Sequence, residues 1–205
     1  MLWTIIKQMA RSSVRTPDVA LQDTALKPDV APQDPALKAG IDWLNAGEFA
    51  AARLHLSAAL AASPDDLEAM YHLALAEARS GHLERAEKLL AAVLEHRADA
   101  DALNALGNVY RLGARLTEAV AGYRRALAVN ADHIAALTNL GLCLRDQGAP
   151  GEALPVLDRA LALAPDHVEA LFNKALALID IGEIEPASAL IERTLVLEPD
   201  FAQAH

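Results

Sequence analysis

From residue 33 onward, apolar residues recur at the three- and four-residue spacing of amphipathic helices, in paired stretches separated by short glycine-marked turns. The pattern itself repeats. Ala52, Ala86, Ala119, Ala153 and Ala187 follow one another at intervals of 34, 33, 34 and 34 residues, each five or six residues after Gly47, Gly81, Gly113, Gly148 or Gly182. A fixed period of that size predicts a solenoid, in which each unit is an αα-hairpin that buries its core against its neighbours. The units fall at 33–66, 67–99, 100–133, 134–167 and 168–201, with the start of a sixth at 202–205. Such an array presents an extended surface rather than a pocket, which favours binding over catalysis.

Local signals place the helix ends. The five turn glycines are expected to supply the left-handed backbone that closes each first helix. Asp34 before Pro35 reads as an N-cap followed by proline at the first helical position. Asp65 with Glu68, and Asp166 with Glu169, have capping-box spacing. Pro64, Pro165 and Pro199 interrupt the chain between units, and Pro186 suits a first turn. Pro155 falls inside a second helix and is expected to bend it near its start. The second unit is one residue short around His96-Arg97-Ala98, which predicts an irregular junction with the third. Glu77 and Lys174 occupy positions where other units place apolar side chains, and snorkelling of their charged ends to solvent is expected.

The stretch before the array has a repeat of its own. Residues 17–27 and 28–38 are identical at nine of eleven positions, as in a tandem slip, and the second copy adds prolines. Residues 1–32 are therefore expected to form a leader and Pro-rich linker without a packed core, and residues 33–205 the array. Leu2, Ile5, Ile6 and Met9 share one helical face, but the apolar run ahead of Lys7 is too short for a secretory signal.

Composition narrows the class. The chain is 53% hydrophobic but 4% aromatic. Its apolar share is dominated by alanine and leucine, the strongest helix formers, so an all-α chain is expected. A formal net charge of −10 argues against nucleic acid, which requires a concentrated basic face. No apolar run is long enough to span a bilayer, so integral membrane association is not expected. The single cysteine, Cys143, excludes an internal disulfide framework; a cytoplasmic location is expected, with a periplasmic one left open. Seven histidines show no helical metal-ligand spacing, and no phosphate loop, nucleophile elbow or catalytic grouping stands out. Catalytic residues, cofactors and metals are not expected.

Leu103, Leu106, Gly107, Tyr110, Ala119, Tyr123 and Ala126 in the third unit resemble the motif of the tetratricopeptide repeat family. The fourth unit is similar through Leu137, Leu140, Gly141, Leu144, Ala153, Leu157, Ala160 and Pro165, and the first through Gly40, Trp43, Gly47, Ala52, Leu56, Ala59 and Pro64. The resemblance covers about 170 of 205 residues. It implies an all-α solenoid of helix-turn-helix repeats forming a right-handed superhelix, with the first helices lining a concave peptide groove. Gly40, Gly107 and Gly141, with Ala74 and Ala175 in the same place, then form a small-residue seam against the Ala52 series.

Carried onto this sequence, the family's groove positions include Lys38, Tyr71, His72, Arg79, Asn104, Asn108, Arg111, Asn139, Arg145, Phe172 and Asn173. Asn104, Asn108, Asn139 and Asn173 form a polar line similar to the asparagine ladder of O-linked N-acetylglucosamine transferases. Solvent-facing polar filling is the alternative reading. Tyr71, Phe172, Arg111 and Arg145 are candidate exposed anchors, since aromatic and arginine side chains dominate interface energies. The family's carboxylate clamp lacks its cations here, and Glu169 would repel a terminal carboxylate, so binding of chaperone C-termini is not expected.

These readings imply a non-enzymatic scaffold that takes a protein or peptide segment in the groove. A second reading is the N-terminal recognition region of a larger glycosyltransferase or sulfotransferase, in which case the coding sequence should continue beyond His205. A third is end-to-end self-association through the last hairpin, which would expose Leu190, Ile191, Leu195 and Leu197.

Overall fold

A computed structural model describes residues 34–199 of the chain. Among the described residues there are ten helices and no strand. They are α1 (Pro35–Asn45), α2 (Phe49–Ala62), α3 (Leu67–Arg79), α4 (Leu83–His96), α5 (Ala100–Leu112), α6 (Leu116–Val129), α7 (Ile134–Asp146), α8 (Pro150–Leu163), α9 (Val168–Asp180) and α10 (Ile184–Leu197). They pair into five antiparallel hairpins, as the alanine period predicts. The expected leader at 1–32 and the start of a sixth unit at 202–205 lie outside the described residues.

Two compact units divide the hairpins at residue 132. In the first unit α1 packs on α2, α3 on α4 and α5 on α6, while α2–α3 and α4–α5 contacts join successive hairpins. In the second, α7 packs on α8, α9 on α10, and α8 and α7 both touch α9.

The seam inside each hairpin explains the small residues. The five alanines of the period are all fully buried, at 0% exposure. A Cβ added at Gly40 would lie 2.5 Å from Leu56 Cγ, and one at Gly141 the same distance from Leu157 Cγ. Glycine there lets a branched side chain of the second helix sit directly on the backbone of the first. Leu56, Leu90 and Leu157 are fully buried beside this seam, each contributing roughly 1.5–3 kcal/mol of apolar burial.

Several helix ends differ from expectation. Asp34 caps α1 as expected, its Oδ1 accepting from Ala36 N at 2.7 Å. The cap of α3 is Asp66, not Asp65: Asp66 Oδ1 accepts from Glu68 N at 2.9 Å and Ala69 N at 3.1 Å. The cap of α9 is His167, not Asp166, its Nδ1 accepting from Ala170 N at 3.3 Å. His133 does the same for α7, accepting from Ala136 N at 3.1 Å. The aspartate just before each histidine instead pairs outward, Asp132 with Arg159 and Asp166 with Arg193.

Gly47, Gly81, Gly148 and Gly182 have positive φ, but Gly113 does not; in that turn Ala114 is left-handed, at φ 56°. The one-residue deletion at the junction accounts for the shift, since Ala114 rather than Gly113 is one 33-residue interval after Gly81. The junction itself is three residues, Arg97 to Asp99, in extended conformation at Arg97, with the Arg97 guanidinium 3.0 Å from the Asp99 carboxylate. Helix α8 continues through Pro155.

Candidate peptide-binding surface

The first helices α1, α3, α5, α7 and α9 carry the sequence-derived candidates. Their buried faces differ in chemistry from those of the second helices. Among the described residues, apart from the cap His133, every buried polar residue other than Thr194 lies on a first helix: His72, Glu77, Asn104, Asn108, Thr138, Asn139 and Asn173. Second helices bury mainly alanine, leucine, valine and isoleucine. A buried amide or imidazole costs free energy unless it is hydrogen-bonded, and an all-apolar seam would hold the hairpins equally well. Buried polar side chains are thus concentrated on the first helices.

In the first unit, Lys38 on α1 is exposed. Tyr71 and His72 on α3 are buried, with ring centroids 5.3 Å apart at 73°. Arg79, in the last turn of α3, is half-buried, with its guanidinium 5.6 Å from the centroid of Phe49 on α2, a cation–π contact that ties the first two hairpins. Asn104 and Asn108 on α5 are both buried, and Arg111 in the same helix is half-buried. Asn108 has an intramolecular duty, because its Oδ1 accepts from the Tyr123 hydroxyl at 2.7 Å.

In the second unit, Asn139 on α7 and Asn173 on α9 are buried. Arg145 Nε donates to Asp180 Oδ2 at 2.7 Å, which clasps α7 to α9, and the Arg145 side chain is only 8% exposed. Phe172 is buried in a core cluster with Val168, Leu176, Ala187 and Ile191. The candidate anchors are therefore mostly not exposed: Tyr71 and Phe172 are 4% and 6% accessible, and Arg145 is held in an ion pair. The asparagine line divides two and two between the units.

Glu77 does not snorkel; it is 1% exposed, with Arg53 Nε at 2.8 Å, His82 Nδ1 at 2.9 Å and Arg85 Nη1 at 2.9 Å from its carboxylate. The signal was present, a glutamate at a position that is apolar in the other hairpins, but the compensating cations come from α2 and α4 and are not legible locally. Lys174 behaves as expected, reaching Asp158 from a partly exposed position. The histidine caps were also missed, because imidazole is an uncommon N-cap.

Among the described residues no group of His, Cys, Asp or Glu is arranged to hold a metal ion, and no helix is long and apolar enough to cross a membrane. Cys143 is buried on α7.

No curated protein matches the chain. Among solved structures, TTC0263, a thermophilic tetratricopeptide repeat protein of Thermus thermophilus, is 23% identical, covers 82% of this chain and 93% of its own, and superposes with a TM-score of 0.72. MamA is 21% identical over 84% of this chain and 99% of its own, with a TM-score of 0.67. YrrB, described as a tetratricopeptide repeat protein with an unusual peptide-binding site, is 20% identical over 83% of this chain and 88% of its own, with a TM-score of 0.62. At these identities the likeness shows the fold. Tetratricopeptide repeat family models match residues 44–109 and 144–205, and a second such model matches 105–168. With its five hairpins, its small-residue seam and these matches, the chain belongs to the tetratricopeptide repeat family and has that family's all-α solenoid fold.

Proposed function

We propose that this chain is a non-enzymatic protein-interaction scaffold that takes peptide segments of a partner along the first helices within each of its two units. The observation that carries the reading is the segregation of buried amide and imidazole side chains to those helices. Asparagine offers both a donor and an acceptor, so the edge of the Asn104 and Asn173 amides that stays accessible, at 6% and 8% exposure, can pair with the backbone of an extended peptide without demanding a particular side chain. The peptide-binding site named for YrrB, a protein of the same fold, supports the same class of partner. Arg79 and Arg111, half-buried at the ends of α3 and α5, are the side chains best placed to add charge-assisted contacts. Phe172 and Arg145 serve the packing of the second unit instead.

The test is selection of binding peptides from a displayed random library on the whole chain, followed by affinity measurement with Asn104→Ala, Asn139→Ala and Arg79→Ala variants whose melting is checked in parallel. Loss of affinity of tenfold or more in variants that melt near the wild-type temperature supports the reading. Selected peptides that bind all three variants unchanged would move the site away from the first helices.

A further inference from the structure

A cleft at the hairpin turns of the first unit has a lining unlike the rest of the chain. Arg53, Glu77, His82, Arg85, Lys88 and Arg115 line a cleft of about 770 Å³ at the hairpin turns, together with Glu84, Glu87 and the backbone around Gly81 and Gly113. The volume lies in the usual range for ligand sites. The cleft inverts the charge balance of the molecule: four Lys/Arg to three Glu line it, whereas the chain has 18 to 28.

Its floor is Glu77, on which three donors converge from α2, the second turn and α4. The contacts recorded to that carboxylate are with Arg53 Nε at 2.8 Å and Arg85 Nη1 at 2.9 Å. A guanidinium has five N–H donors, and the side chains of Arg53 and Arg85 are 31% and 56% exposed, so both present donors to the cleft as well as to Glu77. Lys88 is exposed on α4 and has no ion pair among the described residues. Arg115, at the far wall, is held by Glu87 at 2.7 Å and Glu118 at 3.0 Å and lies 4.4 Å from the Tyr110 ring centroid. That wall is thereby neutralised, and the excess positive charge lies at the Arg53, Arg85 and Lys88 end.

The fold does not require this arrangement. Three positions recur along the repeat: Arg53, Glu77 and His82 in the first two hairpins correspond to Glu87, Tyr110 and Arg115 in the next pair, and to Leu154, Leu178 and Glu183 in the last. Leucines fill the first two positions in the second unit without a buried charge. A buried ion cluster is in general no more stabilising than apolar packing of similar volume, so stability does not account for it.

We propose that this turn-edge cleft binds an acidic peptide segment of a partner protein, whose side-chain carboxylates accept hydrogen bonds from Arg85, Arg53 and Lys88. Carboxylate is an acceptor-only group that matches the planar guanidinium fork. The donors of the cleft come from α2, the second turn and α4, and the proposal does not depend on peptide binding along the first helices.

Titration of the whole chain with an end-blocked hexaglutamate peptide tests the proposal, with hexaglutamine and inorganic phosphate as the comparison probes. Saturable one-site binding of hexaglutamate is expected, with hexaglutamine inert. Lys88→Glu should weaken it at least tenfold, Arg85→Gln should weaken it as well, and Arg193→Gln, on α10, should leave it unchanged. Lys88 is exposed and unpaired, so that variant keeps its fold, and displacement of the His82 ring resonances by the peptide gives a local readout. Absence of saturable binding, or equal affinity in Lys88→Glu, would overturn the proposal. Phosphate binding as tightly as the peptide would reassign the cleft to a small free oxyanion and overturn the peptide assignment.

Discussion

The Tyr123 hydroxyl donates to Asn108 Oδ1 at 2.7 Å across the third hairpin, and neither side chain is more than 1% exposed. The bond joins α6 to α5 beside Gly122 and Gly107, one glycine on each helix. A Cβ added at Gly107 would lie 2.5 Å from Tyr123 Cε1, and one at Gly122 3.1 Å from Gly107 Cα. The tyrosine ring therefore lies on glycine backbone, and its polar end finds a partner one residue beyond. Tyr123→Phe keeps the ring and deletes the donor, so it should cost about 1 kcal/mol, and at most about 3 kcal/mol. Urea melts of Tyr123→Phe, Asn108→Ala and the double variant would check this; strictly additive losses would mean that the two groups are not coupled.

The glycine seam makes a prediction of sign. Gly141 and Gly151 lie in the helices of the same hairpin, α7 and α8, yet alanine should act oppositely at the two positions. At Gly141 the new methyl meets Leu157 Cγ at 2.5 Å, where overpacking costs roughly 1–3 kcal/mol. At Gly151 it meets nothing within 4 Å, leaving a helix-propensity gain of about 0.5–1 kcal/mol. Thermal melts should place Gly141→Ala below the wild type and Gly151→Ala above it. Ala153→Leu, on the same seam, should fall in the destabilised group, and a wild-type melting temperature for it would contradict the assigned register.

These contrasts indicate what the sequence carries. Hairpin number, the small-residue seam and the helix limits follow from local spacing and propensity, and they agree with the structure to within a residue or two. Glu77 shows where such reading stops: its position was visible as an anomaly, but its environment depends on Arg53, His82 and Arg85 from neighbouring segments. Phe172 shows the same limit from the other side. The family's groove register makes it a surface anchor, while contacts with α10 bury it in a core cluster.

Glu68 gives a pH prediction. Its carboxyl pKa is raised above the usual value of 4.5, first by partial burial and second by the nearby Asp66 carboxylate. Its place in the first turn of α3 would favour the ionised form through the helix dipole, so the two unfavourable effects outweigh the favourable one. A raised folded pKa means that the folded chain binds the proton more tightly than the unfolded chain. The associated stability is present below the unfolded pKa and is lost as pH rises through the folded one. Glu68→Gln should therefore melt above the wild type at pH 7, and the gap should shrink as pH falls into the carboxyl range. A pH-independent gap would contradict this, as would an NMR titration of Glu68 with a midpoint below 4.5.

The third turn offers a stabilising exchange. Ala114 adopts φ 56°, while the equivalent residues of the other four hairpins are glycines with φ between 77° and 88°. An alanine Cβ in that conformation crowds the following carbonyl, at a cost of roughly 1–2 kcal/mol. Ala114 is exposed, so Ala114→Gly loses no packing, although glycine's greater freedom in the unfolded chain cancels part of the gain. Gly113 has an ordinary φ of −81°, and a Cβ there would meet its nearest neighbours at 3.5 Å, which is normal contact. Gly113→Ala recovers unfolded-state entropy worth about 0.4–1 kcal/mol. The paired exchange should raise stability by about 1 kcal/mol or more in urea melts, with the Ala114→Gly half favourable on its own. If Ala114→Gly destabilised the chain, the left-handed turn would have to lie at Gly113, and the register of the third hairpin would shift by one residue.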